Sequence, residues 1–137
     1  IIFNWEMIIS LIFIIFSLLF NTDVLSDTLE FQGAKIRILN KDTTEKFFYI
    51  LPLSQTLEIN NTTIIVHRCV RLNTKERQDD IALISHKSLY KNKLKNNFFG
   101  WIFKSSHYMN SPHNASLDIR LHSCLEEDPI FLKKTED

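Results

Sequence analysis

Thr62-Thr63-Ile64-Ile65-Val66-His67-Arg68-Cys69-Val70-Arg71-Leu72 is the longest strand-type run in the chain, and its reading decides the fold. Branched side chains are stiff at χ1 and fit a pleated, half-buried surface, so such a run predicts a β-strand. Upstream, Asn60-Asn61 supplies a tight turn able to take positive φ, and Thr56–Ile59 before it reads as a short strand. Thr44–Leu51 is dense in aromatic and branched residues and ends at Pro52, which removes a ladder donor. Ala34–Asn40 alternates, with Ile36 and Ile38 on one side, and a turn cluster follows at 40–43. Downstream, the polar stretch Asn73–Asp80 reads as a loop and Ile81–His86 as a strand. The lysine-rich Lys87–Lys95 reads as a solvated loop, Phe98–Ser105 and Leu117–Cys124 as strands, and Glu126–Asp137 as a charged, flexible tail. The pattern predicts an all-β domain: a small antiparallel β-sandwich or barrel of about seven strands.

A different segment precedes it. Ile8–Phe20 is uncharged, with only Ser10 and Ser17 as polar interruptions. That length suits the core of an export signal better than a bilayer span, which takes about 20 apolar residues. Val24-Leu25-Ser26 offers a cleavage site after Ser26, although the segment before the apolar run carries Glu6 and no base. The expected organisation is a signal peptide or N-terminal anchor at 1–26, a β domain at 27–125 and the tail at 126–137. Met7 is an alternative start. The head holds two acids and no base, so the remaining 111 residues carry a net charge of +2. This balance points to no nucleic-acid partner. Membrane contact is expected only through the N-terminal segment, if it is retained.

Two glycines in the whole chain exclude a dinucleotide fingerprint and leave no P-loop spacing, and no G-x-S-x-G elbow is present. No cofactor is expected. The two cysteines follow histidines at the same spacing, His67-Arg68-Cys69 and His122-Ser123-Cys124. In an oxidising compartment the default is one Cys69–Cys124 disulfide. The alternative is a metal-binding or redox envelope protein using Cys69 and Cys124, with a metal site of His67, Cys69, His122 and Cys124, because positions i and i+2 of a regular strand share a face. Two unlinked thiols are the third reading. An enzymatic reading rests only on His113 with Asp118. Ser105-Ser106-His107 places neighbours on opposite strand faces, which is poor geometry for a nucleophile and its base. Asn61-Thr62-Thr63 and Asn114-Ala115-Ser116 match glycosylation sequons, relevant only in a eukaryotic secretory pathway.

The most distinctive string is Phe98-Phe99-Gly100-Trp101-Ile102-Phe103. Phe99, Trp101 and Phe103 share one face and read as a buried aromatic row, with a ligand platform as the second reading. Gly100 reads as a bulge or a close backbone approach. Continued through Lys104-Ser105-Ser106, this string resembles the F-S-G-W-M-F-A-S-S signature of the DUF2155 family, found mainly in alphaproteobacteria. Leu39-Asn40-Lys41-Asp42-Thr43 is similar to that family's L-D-K-x-T start, and Val66-His67-Arg68-Cys69 to its first cysteine. Ile81-Ala82-Leu83-Ile84 sits where the family has A-F-L-E-I. The stretch from His113 through Leu117-Asp118-Ile119 to Cys124 resembles its H-P-V-Y-D-V…C ending. The resemblance spans about residues 35–124.

Phe99 replaces a small residue of that pattern. Asn114 follows His113 where the family has Pro, with one extra residue before Asp118. Gly100, Trp101, Phe103, His113 and Asp118 are the matching motif positions. Both cysteines belong to the pattern and neither adjacent histidine does, so the resemblance implies the disulfide rather than the metal site. It implies a bacterial, exported protein of the periplasm or envelope and brings no reaction. The expected role is a non-catalytic accessory protein that binds an envelope protein or a cell-wall component.

Overall fold

The computed structural model describes residues 4–20, 28–73, 77–106 and 111–136. Helix α1 (Trp5–Leu19) buries none of its residues. No helix among the described residues is long and apolar enough to cross a membrane. The cleavage motif Val24-Leu25-Ser26 and His107 lie outside the described residues.

Nine strands follow: β1 (Thr28–Phe31), β2 (Gly33–Asn40), β3 (Lys46–Pro52), β4 (Thr56–Ile59), β5 (Thr62–Asn73), β6 (Gln78–Tyr90), β7 (Lys93–Phe103), β8 (Leu117–Leu125) and β9 (Lys133–Thr135). They form two antiparallel sheets. The first runs β1-β5-β6-β7, with β4 also on β5, and the second runs β8-β2-β3-β9. No barrel closes. Long β5 has room for two partners on one edge: β4 pairs with residues 62–65 and β1 with residues 69–72.

All seven expected strands are present, and four stretches differ. Thr28–Phe31 is a strand that four residues alone do not announce. β6 starts at Gln78, inside the stretch read as a loop. Lys87–Lys95 is a hairpin rather than a loop: Lys87 and Lys93 belong to the ends of β6 and β7, and the turn is Lys91-Asn92, both at positive φ. The charged tail folds back, with Lys133–Thr135 pairing with β3 and Leu132 packing on the core. Gln55 Nε2 donates to the Ile130 carbonyl at 2.8 Å. Pro129 also approaches Gly33, where a Cβ would lie 2.9 Å from the proline ring and 2.8 Å from the Leu51 carbonyl oxygen.

The inward residues of both sheets make one cluster. Ile36, Ile38, Tyr49, Leu51, Leu117, Ile119 and Leu121 come from the second sheet, and Leu57, Ile64, Val66, Ala82, Ile84 and Ile102 from the first. Burying each large aliphatic contributes about 1.5–3 kcal/mol, so this cluster is the main force holding the two sheets together.

Candidate functional site

The two sheets are joined covalently. Cys69 of β5 and Cys124 of β8 form a disulfide with their Cα atoms 5.6 Å apart, and no cysteine is free. Next to it lies a charged clamp. Arg71 on β5 and Asp80 on β6 are cross-strand partners. Asp80, whose side chain is 3% exposed, accepts from Arg71 Nε at 2.7 Å and Nη2 at 3.2 Å. It also accepts from the backbone N–H of Cys124 at 2.9 Å. Burial alone would raise the Asp80 pKa. The Arg71 hydrogen bond, the Cys124 N–H and the charges of Arg71 and Lys104 outweigh it, holding the carboxyl below its ordinary range. Arg71 also lies over the Phe31 ring at 4.6 Å. Disulfide and carboxylate thus fix the same strand end to the first sheet.

The histidines beside the cysteines do not join them. On β5, Val66 pairs with Ile84 and Arg68 with Leu83, which leaves His67 as the extra residue of a bulge. On β8, Leu121 pairs with Ile36 and Ser123 with Lys35, which leaves His122 in the same role. A bulge breaks the alternation of faces, so the i, i+2 argument fails at both places. His67 Nε2 meets Ser85 Oγ at 3.1 Å, whereas His122 lies exposed with its ring 5.2 Å from Phe48. The metal arrangement of His67, Cys69, His122 and Cys124 is therefore corrected. The sulfurs are bonded to each other, and no cluster able to hold a metal occurs among the described residues.

The aromatic row is also corrected in its facing. Ile102 is buried and Phe98 packs on the core, so Phe99, Trp101 and Phe103 turn outward. Register explains the phase: Gly100 pairs with buried Ile84 and Ile102 with buried Ala82. Gly100 is not at a bulge. A Cβ there would come 3.1 Å from the Phe98 ring, so the glycine makes room for that inward phenylalanine. On the outer face Phe99 is 67% exposed and its ring lies 5.4 Å from that of His67. Half-buried Trp101 has the Arg68 guanidinium 5.6 Å from its ring centroid, and Arg68 is ion-paired with Glu30. Leu83, Ile81 and Ser85 stand opposite Trp101, Phe103 and Phe99 on β6. The result is an aromatic surface with a cation, a carboxylate and an imidazole at its border.

The remaining motif residues separate. His113 is exposed, whereas Asp118 is ion-paired with Arg37 at 3.4 Å and Arg120 at 3.0 Å. No hydrogen bond or ion pair joins His113 to Asp118 among the described residues. Ser105 Oγ donates to Asp79 Oδ2 at 2.6 Å, a structural tie at the end of β7.

A buried polar group that the sequence reading did not find lies between the sheets. Asn114, 7% exposed, accepts from the N–H of Ser116 at 2.9 Å and of Leu117 at 3.1 Å through Oδ1. Its amide nitrogen therefore faces Thr62 Oγ1 at 3.0 Å and His86 Nε2 at 3.2 Å. That orientation makes His86 Nε2 an acceptor and places the proton on Nδ1, which has no hydrogen-bond partner among the described residues. With both polar atoms of the buried Asn114 side chain engaged, the second sequon is closed to a glycan in the folded domain.

Burial lowers the His86 pKa from 6.5. Below pH 6.5 the unfolded chain binds a proton that the folded chain refuses, so stability falls as pH drops through that window. The melting temperature should fall between pH 7.5 and pH 5.5, and His86→Gln should flatten that part of the profile. An unchanged slope in the variant would remove His86 as the cause.

Fold and site together define a small two-sheet β domain with one disulfide and an exposed aromatic face. Residues 34–124 match the family described as an uncharacterised protein conserved in bacteria, DUF2155, and the chain belongs to that family. Comparison with curated proteins and with solved structures gave no match.

Proposed function

We propose that this chain is an exported, envelope-associated, non-catalytic accessory domain that engages an envelope protein or wall component through the outer face of β5, β6 and β7. The observation that carries the reading is the outward row Phe99-Trp101-Phe103, with Arg68 over Trp101. Aromatic residues and arginine are the side chains that most often dominate binding surfaces. The buried disulfide supports export, since such bonds persist in oxidising compartments. The apolar helix, none of whose residues is buried, supports a role in delivery rather than in folding.

A photo-crosslinking residue at position 99 should give a discrete adduct in intact cells, and the same residue at exposed Glu58 should not. Adducts equal at both positions, or absent at 99, would contradict the surface assignment. Phe99→Ala should leave stability within about 0.5 kcal/mol while weakening capture, because the ring is solvent-facing. N-terminal sequencing of the envelope fraction should begin at Asp27, and a cytoplasmic protein with an intact head would overturn export.

A further inference from the structure

The outer face of the second sheet concentrates positive charge. Arg37 on β2 stands directly opposite Arg120 on β8. Like charges opposite each other destabilise a sheet unless something lies between them. Asp118 bridges them only partly: it meets Arg37 Nη2 at 3.4 Å, and its contact with Arg120 Nε at 3.0 Å falls outside hydrogen-bonding geometry. Both Nε groups are shielded from solvent and lack a hydrogen-bond partner among the described residues. Each guanidinium is nevertheless partly exposed, 26% for the Arg37 side chain and 37% for Arg120, and a planar guanidinium is suited to oxyanions.

These arginines line a recess of about 240 Å³, with Lys104, Leu121 and His122 completing its wall. That volume lies below the range of about 300–1,000 Å³ typical of pockets for drug-sized ligands, so it suits a small anion. Two arginines and a lysine against one carboxylate leave a surplus of two positive charges. We infer that this recess is a binding site for a phosphate dianion, free or as a small phosphomonoester, held by Arg37, Arg120 and Lys104. Its two arginines are on the sheet opposite the aromatic face, Lys104 reaches it from the end of β7, and the inference does not depend on the role proposed for that face.

The test is calorimetric titration of the full chain with inorganic phosphate, and separately with glycerol 3-phosphate, at ionic strength held constant with sodium chloride. Saturable binding is expected, with acetate weaker because a monoanion leaves one charge unmatched. Arg37→Gln and Arg120→Gln should each weaken binding about tenfold, the order expected for one charge-assisted hydrogen bond. Lys104→Gln, at an exposed position, gives the same direction should either arginine variant fail to fold. Asp118→Asn should tighten binding by removing the competing carboxylate, an outcome that a purely structural role for this cluster would not produce. The tighter of the two phosphate probes names the source, and either supports the site. No heat beyond dilution, phosphate no better than acetate, or unchanged affinity in the folded arginine and lysine variants would overturn it.

Discussion

Replacement of both bridging cysteines, Cys69→Ala with Cys124→Ala, is expected to lower the unfolding free energy by about 4 kcal/mol. The bond closes a loop with a sequence separation of 55, and the chain-entropy estimate for that length gives this value. The effect is large because domains of this size have total stabilities of only about 5–15 kcal/mol. Position adds to length. β5 is paired along both edges, whereas β8 is the edge strand of the second sheet, so the bond ties a peripheral strand to an internal one. Both cysteines are buried, and alanine leaves no unsatisfied polar atom in their place. Urea unfolding of the parent and the double variant should show a midpoint shifted to lower urea. It should also show a somewhat larger slope, because the uncross-linked unfolded chain exposes more surface. A midpoint shift corresponding to less than about 1 kcal/mol would mean that the bond is incidental to stability.

Asp80→Ala is expected to cost about 3–5 kcal/mol, the range for removing one partner of a buried ion pair. The substitution removes three accepted hydrogen bonds at once and leaves the Arg71 guanidinium and the Cys124 N–H without their acceptor. Arg71 retains Glu126 at 3.8 Å and the Phe31 ring, which keeps the loss away from the upper end. Asp80→Asn should cost less, since an amide oxygen still serves Cys124. Adding Arg71→Met to it should recover part of the loss by removing the unpaired charge. Because Asp80 and the disulfide hold the same residue, Asp80→Ala and the cysteine double variant should not be additive. The carboxyl has a folded pKa below 3.8, so its contribution is present above that pH and is lost as pH falls through the folded value. Acid unfolding of the parent should therefore begin with the His86 loss near neutrality and steepen in the carboxylate range. Asp80→Asn should abolish only the lower step. Equal acid profiles in parent and Asp80→Asn would contradict the clamp.

Much of the architecture was legible because the strand runs are long and bounded by turn residues. Thr62–Leu72 and Leu117–Cys124 are recognisable from side-chain type alone, and the cysteine on each pointed to a single disulfide. The errors arise where local pattern is overruled by pairing. Period two showed that Phe99, Trp101 and Phe103 share a face but not which face, and the phase was decided by Ala82 and Ile84 across the ladder. The His67 and His122 bulges are invisible in sequence, since an extra residue in one strand is defined only against its partner. Asp80 was hidden in a polar stretch whose end becomes strand β6. Its partner Arg71 lies nine residues earlier on another strand, and its second donor, the Cys124 N–H, is 44 residues away. Asn114 carried a usable signal, an Asx residue two positions before a Ser and three before a strand, in the pattern of a side chain that caps its own backbone. The cationic recess had none, because Arg37, Lys104 and Arg120 are brought together only by the fold.

Cys69 and Cys124 join the two sheets as an oxidised pair, and a pair that stays oxidised in the cell is what the proposed export calls for. The most direct measurement is the thiol state in the cell: rapid acid quenching, alkylation without reductant, and intact mass of the isolated chain. The expected result is a chain with no alkylated cysteine and a mass two hydrogens below that of the dithiol. Two alkylated cysteines in the folded protein would contradict it.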